Sequence, residues 1–201
     1  MKRDATRRTV QGPASFVLLV LLVLAVAATA CSRRETPRPT SAGSTTPVRA
    51  ESFSVYELPG SWRDQSGATL TLASLRGAPV LITMVYTHCT ATCPLAVSEL
   101  KRIAAQHRDA RLVLVSLDPD RDDPARLAAY ARGLGLDTAR WTLLTGADAD
   151  VRDLAATLGV RYRRVTPEDL AHSNLITLLD REGRIVRQSS GRMDDAAIAA
   201  L

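Results

Sequence analysis

The sequence predicts an α/β domain over residues 52–201, built on a mixed central sheet flanked by helices. Two unbroken apolar runs rich in β-branched residues, 80–86 (VLITMVY) and 112–117 (LVLVSL), are typical of strands covered on both faces. Segments with helical spacing of apolar residues alternate with these runs, which favours parallel strands joined by helices. A turn sequence, DREG, lies between strand segments at 175–179 and 184–188, and this closing antiparallel hairpin makes the sheet mixed.

Residues typical of helix boundaries place the other elements. Pro94 suits the first turn of a helix, where its missing N–H is not needed. The pair Asp123-Pro124 caps and starts a second helix, and Gly133 ends it. In chain order, the predicted elements are an additional amino-terminal strand or hairpin at 68–72, the strand 80–86, a helix from Pro94 to about His107, the strand 112–117, a helix from Pro124 to about Arg132, a strand at 141–144, a helix at 148–158, the hairpin, and a final helix from about Asp194.

The first thirty residues have the layout of a secretory signal. Basic residues are followed by an apolar run without a charge, 14–28 (ASFVLLVLLVLAVAA). This run is shorter than the roughly twenty residues of a membrane span. Small residues then lead to Cys31, which resembles the lipobox of bacterial lipoproteins, although the usual Leu three positions earlier is Ala28. Residues 1–30 are therefore predicted to be a lipoprotein-type signal peptide, with lipidation of Cys31, or alternatively a single-span membrane anchor.

Both alternatives tether the protein on the extracytoplasmic side of a membrane, in the periplasm or at the cell surface. Residues 31–51 are rich in Pro, Ser, Thr and Arg and predict a disordered linker. The net charge of +5 belongs to these first segments, since residues 1–50 carry 8 basic and 2 acidic side chains, whereas residues 51–201 carry 18 and 19. A domain so nearly balanced in charge offers no basic face, which excludes nucleic-acid binding.

Two cysteines, Cys89 and Cys93, lie between the strand 80–86 and the helix that starts at Pro94. Cys93 is at or next to the helix N-cap, where backbone N–H groups and the helix dipole favour a thiolate. A separation of four residues across a turn allows the two sulfurs to form a disulfide or to share a metal ion. A purely structural disulfide is the alternative, but closing so small a loop stabilises little. The strand–thiol pair–helix order is the thioredoxin arrangement, and it indicates a redox or metal site.

His172 is the candidate third member of this site. It precedes the strand 175–179, and a residue that enters a strand beside the central one can face the amino-terminal end of the first helix. The alternative is that His172 is an ordinary surface histidine, as a lone histidine more often is. His88 and His107 are weaker candidates, because His88 can point to solvent and His107 ends a helix, where a cation is favoured in any case.

Two charged segments and one methionine have competing interpretations. The acidic loop 118–123 could dock a partner, but capping of the following helix is favoured. The run 161–164 could face an acidic partner, but a solvated face is favoured. Met84 lies inside the predicted strand 80–86 and is expected in the core rather than at a metal.

Four segments together resemble one family. Residues 86–94 (YTHCTATCP) resemble the CxxxC-Pro signature of the Sco (SenC) family. Residues 116–124 (SLDPDRDDP) are similar to its Asp-Pro-x-Arg-Asp segment, and 141–146 (WTLLTG) to its Leu-Thr-Gly stretch. Residues 171–183 contain a match to its His-Ser and Asp-x-x-Gly hairpin. The resemblance extends in order over about residues 52–195.

This resemblance implies a thioredoxin-like fold and a copper site. The family binds copper through the two motif cysteines and the histidine, which here are Cys89, Cys93 and His172. Two thiolates and one imidazole suit Cu(I), and with a further oxygen donor they can hold Cu(II). The implied function is that of a metallochaperone, rather than an enzyme, for the binuclear CuA centre of cytochrome c oxidase. The implied partners are the CuA subunit of the oxidase and a copper donor protein.

Two segments depart from the family pattern, the loop between the cysteines and the position before the histidine. The family often has Pro after the first cysteine and an acidic residue in the loop, where this chain has Thr90 and Ala91-Thr92. The Asp common before the histidine is Ala171 here. Two other functions therefore stay open, a thiol–disulfide oxidoreductase that acts on client cysteines and a copper or redox sensor. His172 favours the metallochaperone, because a dithiol reductant does not need an imidazole at this place.

The lipobox-like segment generates the first prediction. We expect that Cys31→Ser releases the protein from the membrane fraction or leaves it as an uncleaved precursor, because serine cannot carry the thioether-linked lipid. Fractionation and gel migration of wild type and variant measure this. A variant that fractionates and migrates like wild type would show that residues 14–28 act as a plain anchor.

Overall fold

The computed structural model describes residues 53–90 and 92–198, and these belong to one unit of the chain, Arg49–Leu201. The predicted signal peptide or anchor 1–30, the lipidation site Cys31 and the linker 31–51 lie outside the described residues and remain predictions. Within the described ranges, no helix is both long enough and apolar enough to span a bilayer.

A seven-stranded mixed sheet forms the centre of the domain. Its strand order is β2-β1-β5-β4-β3-β8-β9, in which β3, β4 and β5 run parallel and the outer strands pair antiparallel. Two further strands, β6 and β7, pair only with each other in a separate sheet. The strands are β1 Trp62–Asp64, β2 Thr69–Leu70, β3 Val80–Val85, β4 Arg111–Ser116, β5 Trp141–Gly146, β6 Tyr162–Arg164, β7 Leu170–His172, β8 Ile176–Leu179 and β9 Ile185–Ser189.

Within residues 53–90 and 92–198, four α-helices and two short 3-10 helices accompany the strands. The α-helices are α1 Cys93–Gln106, α2 Pro124–Gly133, α3 Asp148–Thr157 and α4 Asp195–Ile198, and the 3-10 helices are Val55–Glu57 and Leu72–Leu75. The longest helix in the described part of the chain, α1, buries the apolar residues that recur at helical spacing, among them Val97, Leu100 and Ile103. At the start of α2, the Asp123 side chain accepts a hydrogen bond from the Arg126 backbone N–H at 2.8 Å, which confirms the predicted cap.

The core lies around the two predicted apolar runs. All six residues of β3 are buried, as are five of the six residues of β4, because neighbouring strands and covering helices exclude water from both faces. The predicted fold class, a mixed α/β sheet flanked by helices with an additional amino-terminal hairpin, is confirmed. This core places the end of β3 and the start of α1 at one edge of the sheet, with the end of β4 beside them.

The sequence prediction of the region before β8 was incomplete. Residues 162–172 form the hairpin β6–β7, which the sequence did not indicate because each strand has only three residues. His172 ends β7 rather than entering the strand that follows it. In the amino-terminal hairpin, β1 is also additional to the predicted segment 68–72.

The predicted DREG turn is held by a glycine that has no space for a side chain. Gly183 has a φ of +87°, and a Cβ at this position would fall against the Tyr56 ring, far inside van der Waals contact. The Val55 N–H donates to the Gly183 carbonyl at 2.9 Å, which draws the first 3-10 helix against the turn. The turn therefore joins the amino-terminal end of the described domain to the β8–β9 hairpin.

We expect Gly183→Ala to destabilise the protein much more than Gly67→Ala. Gly67 also has a φ of +87°, but a Cβ there would meet nothing within 4 Å, so its substitution tests the backbone strain alone. That strain costs about 1–2 kcal/mol, and the clash with Tyr56 should add about 1–3 kcal/mol. Urea unfolding of the two variants measures the difference. Equal losses of unfolding free energy would contradict the packing described at Gly183.

Candidate metal centre

The loop between β3 and α1 brings its two cysteines together by backbone hydrogen bonds. The Cys89 N–H donates to the Tyr86 carbonyl at 3.1 Å, which turns the chain directly after β3. The Cys93 N–H, one of the free donors at the start of α1, points at the Cys89 sulfur at 3.3 Å. The Thr92 hydroxyl lies 3.7 Å from the same sulfur. Cys89 is therefore surrounded by donors from the first turn of the helix.

A buried aspartate fixes this loop to the neighbouring strand. Asp122 is fully buried, and its carboxylate accepts hydrogen bonds from the Thr87 backbone N–H at 3.0 Å and from the Thr87 hydroxyl at 2.6 Å. The Ser116 hydroxyl, at the end of β4, donates to it at 2.6 Å. Asp118 of the same loop is also fully buried. These two carboxylates point inward and are unavailable to a docking partner, whereas Asp123 caps α2 as the sequence indicates.

His172 reaches the thiol pair from the end of β7. Its Nδ1 atom lies 3.1 Å from the Ser173 carbonyl oxygen, which can only accept, so Nδ1 carries the proton. The other ring nitrogen, Nε2, is then free to accept or to bind a metal, and it lies 3.5 Å from the Cys93 sulfur. The Tyr86 ring meets the imidazole edge-on, with centroids 5.7 Å apart and an interplanar angle of 78°. The imidazole is thus oriented on two sides before any ligand arrives.

Three potential ligand atoms converge at this place. The two sulfurs and a ring nitrogen of His172 all lie within 4.8 Å of one another. Atoms that share one metal at about 2.0–2.3 Å lie up to roughly 4.5 Å apart, so only a small adjustment completes a site. The other two histidines do not join this group. His88 is 2.6 Å from the Arg126 guanidinium through its Nε2 atom, and His107 ends α1 as its C-cap.

The two thiols differ in acidity. Burial alone would raise the pKa of Cys89, but the polar contacts of its sulfur with Cys93, His172 and Thr92 outweigh burial and lower that pKa to about 6. Burial and the hydrogen bond to Cys89 raise the pKa of Cys93 far above its ordinary value. The sequence indicated Cys93 as the thiolate, because it starts the helix. The structure assigns the thiolate to Cys89, since the Cys93 N–H at the start of the helix points to its sulfur while Cys93 is fully buried.

Comparison with known proteins decides the family. The SCO1/SenC family model matches residues 55–201. The chain belongs to the SCO1/SenC family. A relative in Bacillus subtilis, called SCO1 protein homolog, is 26% identical over 144 residues, which cover 68% of this chain and 75% of the relative. The structure is similar to Bradyrhizobium japonicum ScoI with copper bound, at 31% identity and a TM-score of 0.59, over 71% of this chain and 94% of that chain.

A second solved structure supports the fold. The protein is similar to BsSco, which is described as having a disulfide switch and as a member of the Sco family of cytochrome c oxidase assembly proteins. The identity is 23% and the TM-score 0.58, over 69% of this chain and 84% of that chain. The predicted thioredoxin-like fold is confirmed by these structural likenesses.

Sequence reasoning missed residues that support the site. Asp122 was noted only as part of an acidic loop, and nothing in the motif indicated that its carboxylate turns inward to hold Thr87. Tyr86 belonged to the motif, but its contact with His172 depends on chain segments 86 positions apart in sequence. Met84 is buried in β3, in agreement with its expected place in the core.

The unequal thiols generate a pH prediction for the reduced, metal-free protein. We expect iodoacetamide to label Cys89 before Cys93, at a rate that rises with pH around a midpoint of about 6. Below that midpoint the thiol is protonated and slow, and above it the thiolate attacks. Mass spectrometry of labelled peptides over a pH series measures this. In Cys93→Ala, which removes the side-chain hydrogen bond to Cys89, the midpoint should move up toward the ordinary cysteine value of about 8.5. In wild type, faster labelling of Cys93 than of Cys89 would contradict the assignment.

Proposed function

We propose that this protein is a copper-binding metallochaperone for assembly of the CuA centre of cytochrome c oxidase, with Cys89, Cys93 and His172 as the copper ligands. One observation carries the proposal: two thiols and an imidazole nitrogen lie within 4.8 Å of one another. Family membership supports it, because the related ScoI of Bradyrhizobium japonicum is solved with copper bound. BsSco belongs to a family of cytochrome c oxidase assembly proteins, which supports the oxidase as client.

The donor set fits copper in both of its oxidation states. Soft thiolates select Cu(I), and imidazole binds both Cu(I) and Cu(II). His172 is already oriented, since its Nδ1 proton is held by the Ser173 carbonyl and Nε2 faces the sulfurs. Cys89 is ionised near neutral pH, whereas Cys93 must lose its proton, so copper loading releases a proton at Cys93.

The exposure of the three ligands indicates how cargo enters and leaves. Cys93 has no exposed surface, Cys89 is 8% exposed, and His172 is half-buried. A copper donor protein and the CuA subunit therefore exchange copper with the side of the site that Cys89 and His172 form. Cys93 is the inner ligand, which an exchanging partner reaches last.

The proposed place of action is the extracytoplasmic side of a membrane. A signal peptide or anchor at 1–30, with Cys31 as the lipidated residue in the first case, supplies the tether. The linker 31–51 separates this tether from the Sco domain at 52–201, and a flexible chain of its length spans about 25 Å on average. The domain can thus reach a membrane-bound oxidase subunit while it stays attached.

A second function, thiol–disulfide exchange with client cysteines, is favoured by the unequal thiols. A thiolate at Cys89, which keeps 8% of its surface exposed, next to a fully buried thiol at Cys93 is the arrangement of an attacking and a resolving cysteine. The metallochaperone remains the better proposal, because such exchange leaves the oriented imidazole of His172 without a role.

The two functions are separated by His172→Ala. We expect this variant to bind Cu(I) at least about 10-fold more weakly, since loss of a group that merely supports a ligand already costs 10–100-fold. The Cys89–Cys93 disulfide should still form and be reduced, because the donors from the first turn of α1 are unchanged. A Cu(I) competition titration and a redox titration on the same preparations measure both properties.

His107→Ala is the matched control, because His107 ends α1 away from the ligand group. It should bind copper like wild type. Unchanged copper affinity in His172→Ala would show that His172 is not a ligand and would make thiol–disulfide exchange the better proposal.

A further inference from the structure

His172 is carried by a hairpin that lies outside the central sheet. The strands β6 and β7 have three residues each and pair only with each other, with Tyr162 opposite His172 and Arg164 opposite Leu170. A two-stranded hairpin is at best marginally stable on its own. The position of the imidazole over the thiols therefore depends on contacts between this hairpin and the rest of the domain.

One such contact joins β6 to a buried carboxylate. The Arg164 guanidinium lies 2.8 Å from Oδ1 of Asp118, which is fully buried, and the Arg121 Nε atom lies 3.0 Å from Oδ2. The Asp118 N–H donates to the Ser116 hydroxyl at 2.9 Å, and that hydroxyl donates to Asp122. Asp122 in turn holds the loop between β3 and α1, called here the thiol loop, through Thr87. The hairpin and the thiol loop are thus fastened to the same end of β4.

A second contact joins the start of β7 to the end of β3. The Tyr86 hydroxyl donates to the Asp169 carboxylate, and it lies 3.2 Å from the Leu170 carbonyl oxygen. The same Tyr86 ring meets the imidazole of His172 edge-on. Tyr86 therefore touches the hairpin both at the first residue of β7 and at its last.

We propose that Arg164 and Tyr86 are positioning residues that hold His172 over the two thiols, Arg164 through the buried Asp118 and Tyr86 through Asp169. Neither residue touches the metal site through a ligand atom of its own. This inference rests on the proposed function, in which His172 is the third copper ligand. It predicts that loss of the contact between Arg164 and Asp118 weakens the contribution of His172 to copper binding. The redox behaviour of Cys89 and Cys93 should be unchanged.

The chain offers a matched pair of substitutions. Arg164→Gln removes the guanidinium from Asp118, and Arg121 still pairs with that carboxylate, so no unpaired buried charge results. Arg163→Gln removes the same charge one residue earlier in β6, where the exposed Arg163 makes no side-chain hydrogen bond or ion pair with the residues that the structure describes. Arg164→Lys keeps a cation opposite Asp118 and serves as the conservative variant.

Three measurements and one control, a redox titration, test the proposal on the full-length protein. We expect Arg164→Gln to bind Cu(I) about 10-fold more weakly in a competition titration. Its Cu(II) form should show a reduced nitrogen coupling in electron paramagnetic resonance, and amide hydrogen exchange at 170–173 should be faster without metal. Arg163→Gln should match wild type in all three, and Arg164→Lys should recover most of the loss. The redox titration of the cysteines should be the same in all four proteins.

Several outcomes overturn the inference. Equal copper affinity and equal amide hydrogen exchange at 170–173 in Arg164→Gln and Arg163→Gln would show that Arg164 does not position His172. A changed redox titration in Arg164→Gln would show a general effect on the site instead. If Arg164→Gln does not fold, Tyr86→Phe replaces it, because it keeps the ring on His172 and loses only the hydroxyl contacts; wild-type affinity and exchange there would overturn the role of Tyr86.

The test separates this inference from the proposed function. If wild type and Arg163→Gln do not bind copper, the proposed function fails. Faster exchange at 170–173 in Arg164→Gln alone would then still support the positioning of His172. If both bind copper and Arg164→Gln binds it equally well, the proposed function stands and the positioning role fails.

Discussion

The buried carboxylate of Asp122 joins the end of β4 to the loop that carries both thiols. A carboxylate out of contact with water is stable only where donors replace its hydration, and here Ser116 and the backbone and hydroxyl of Thr87 do so. Because these donors belong to the end of one strand and the loop after its neighbour, the carboxylate fixes where the loop leaves the sheet. The turn at Cys89 and the start of α1 follow from that point.

The start of α1 then makes the two thiols chemically unequal. A helix leaves its first N–H groups without partners, and the N–H of Cys93 uses the sulfur of Cys89 as its acceptor. Cys93 itself is the first residue of α1, and its side chain has no contact with water. Cys89, which is 8% exposed, is therefore the thiolate, and Cys93, which has no exposed surface, is the protonated thiol. This inequality suits stepwise exchange of a soft metal ion, and it is equally suited to stepwise thiol exchange, which is why the imidazole decides between the two functions.

The departure from the family pattern at Ala171 can be explained by the hydrogen bonding of His172. Ala171, where the family often has an aspartate, is exposed, and the Nδ1 proton of His172 is held instead by the Ser173 carbonyl. A backbone acceptor orients the ring without adding a negative charge beside the proposed metal site. The hairpin that carries the ring is fastened by Asp118 and Tyr86, which lie at the ends of β4 and β3. The thiol pair and the imidazole thus both depend on the two central strands for their positions.

The sequence by itself determined the sheet-and-helix order, the family and the thiol pair. Periodicity of apolar residues and helix-boundary residues report local structure, so β3, β4, α1 and α2 were predictable within a residue or two. Only the tertiary structure decided that the hairpin β6–β7 exists, that Arg164 forms an ion pair with the buried Asp118, and which cysteine is the thiolate. The partners involved are 46 positions apart for Arg164 and Asp118 and 79 for Cys93 and His172. No local pattern encodes such pairs, because burial and hydrogen bonding between them arise only once the sheet has assembled.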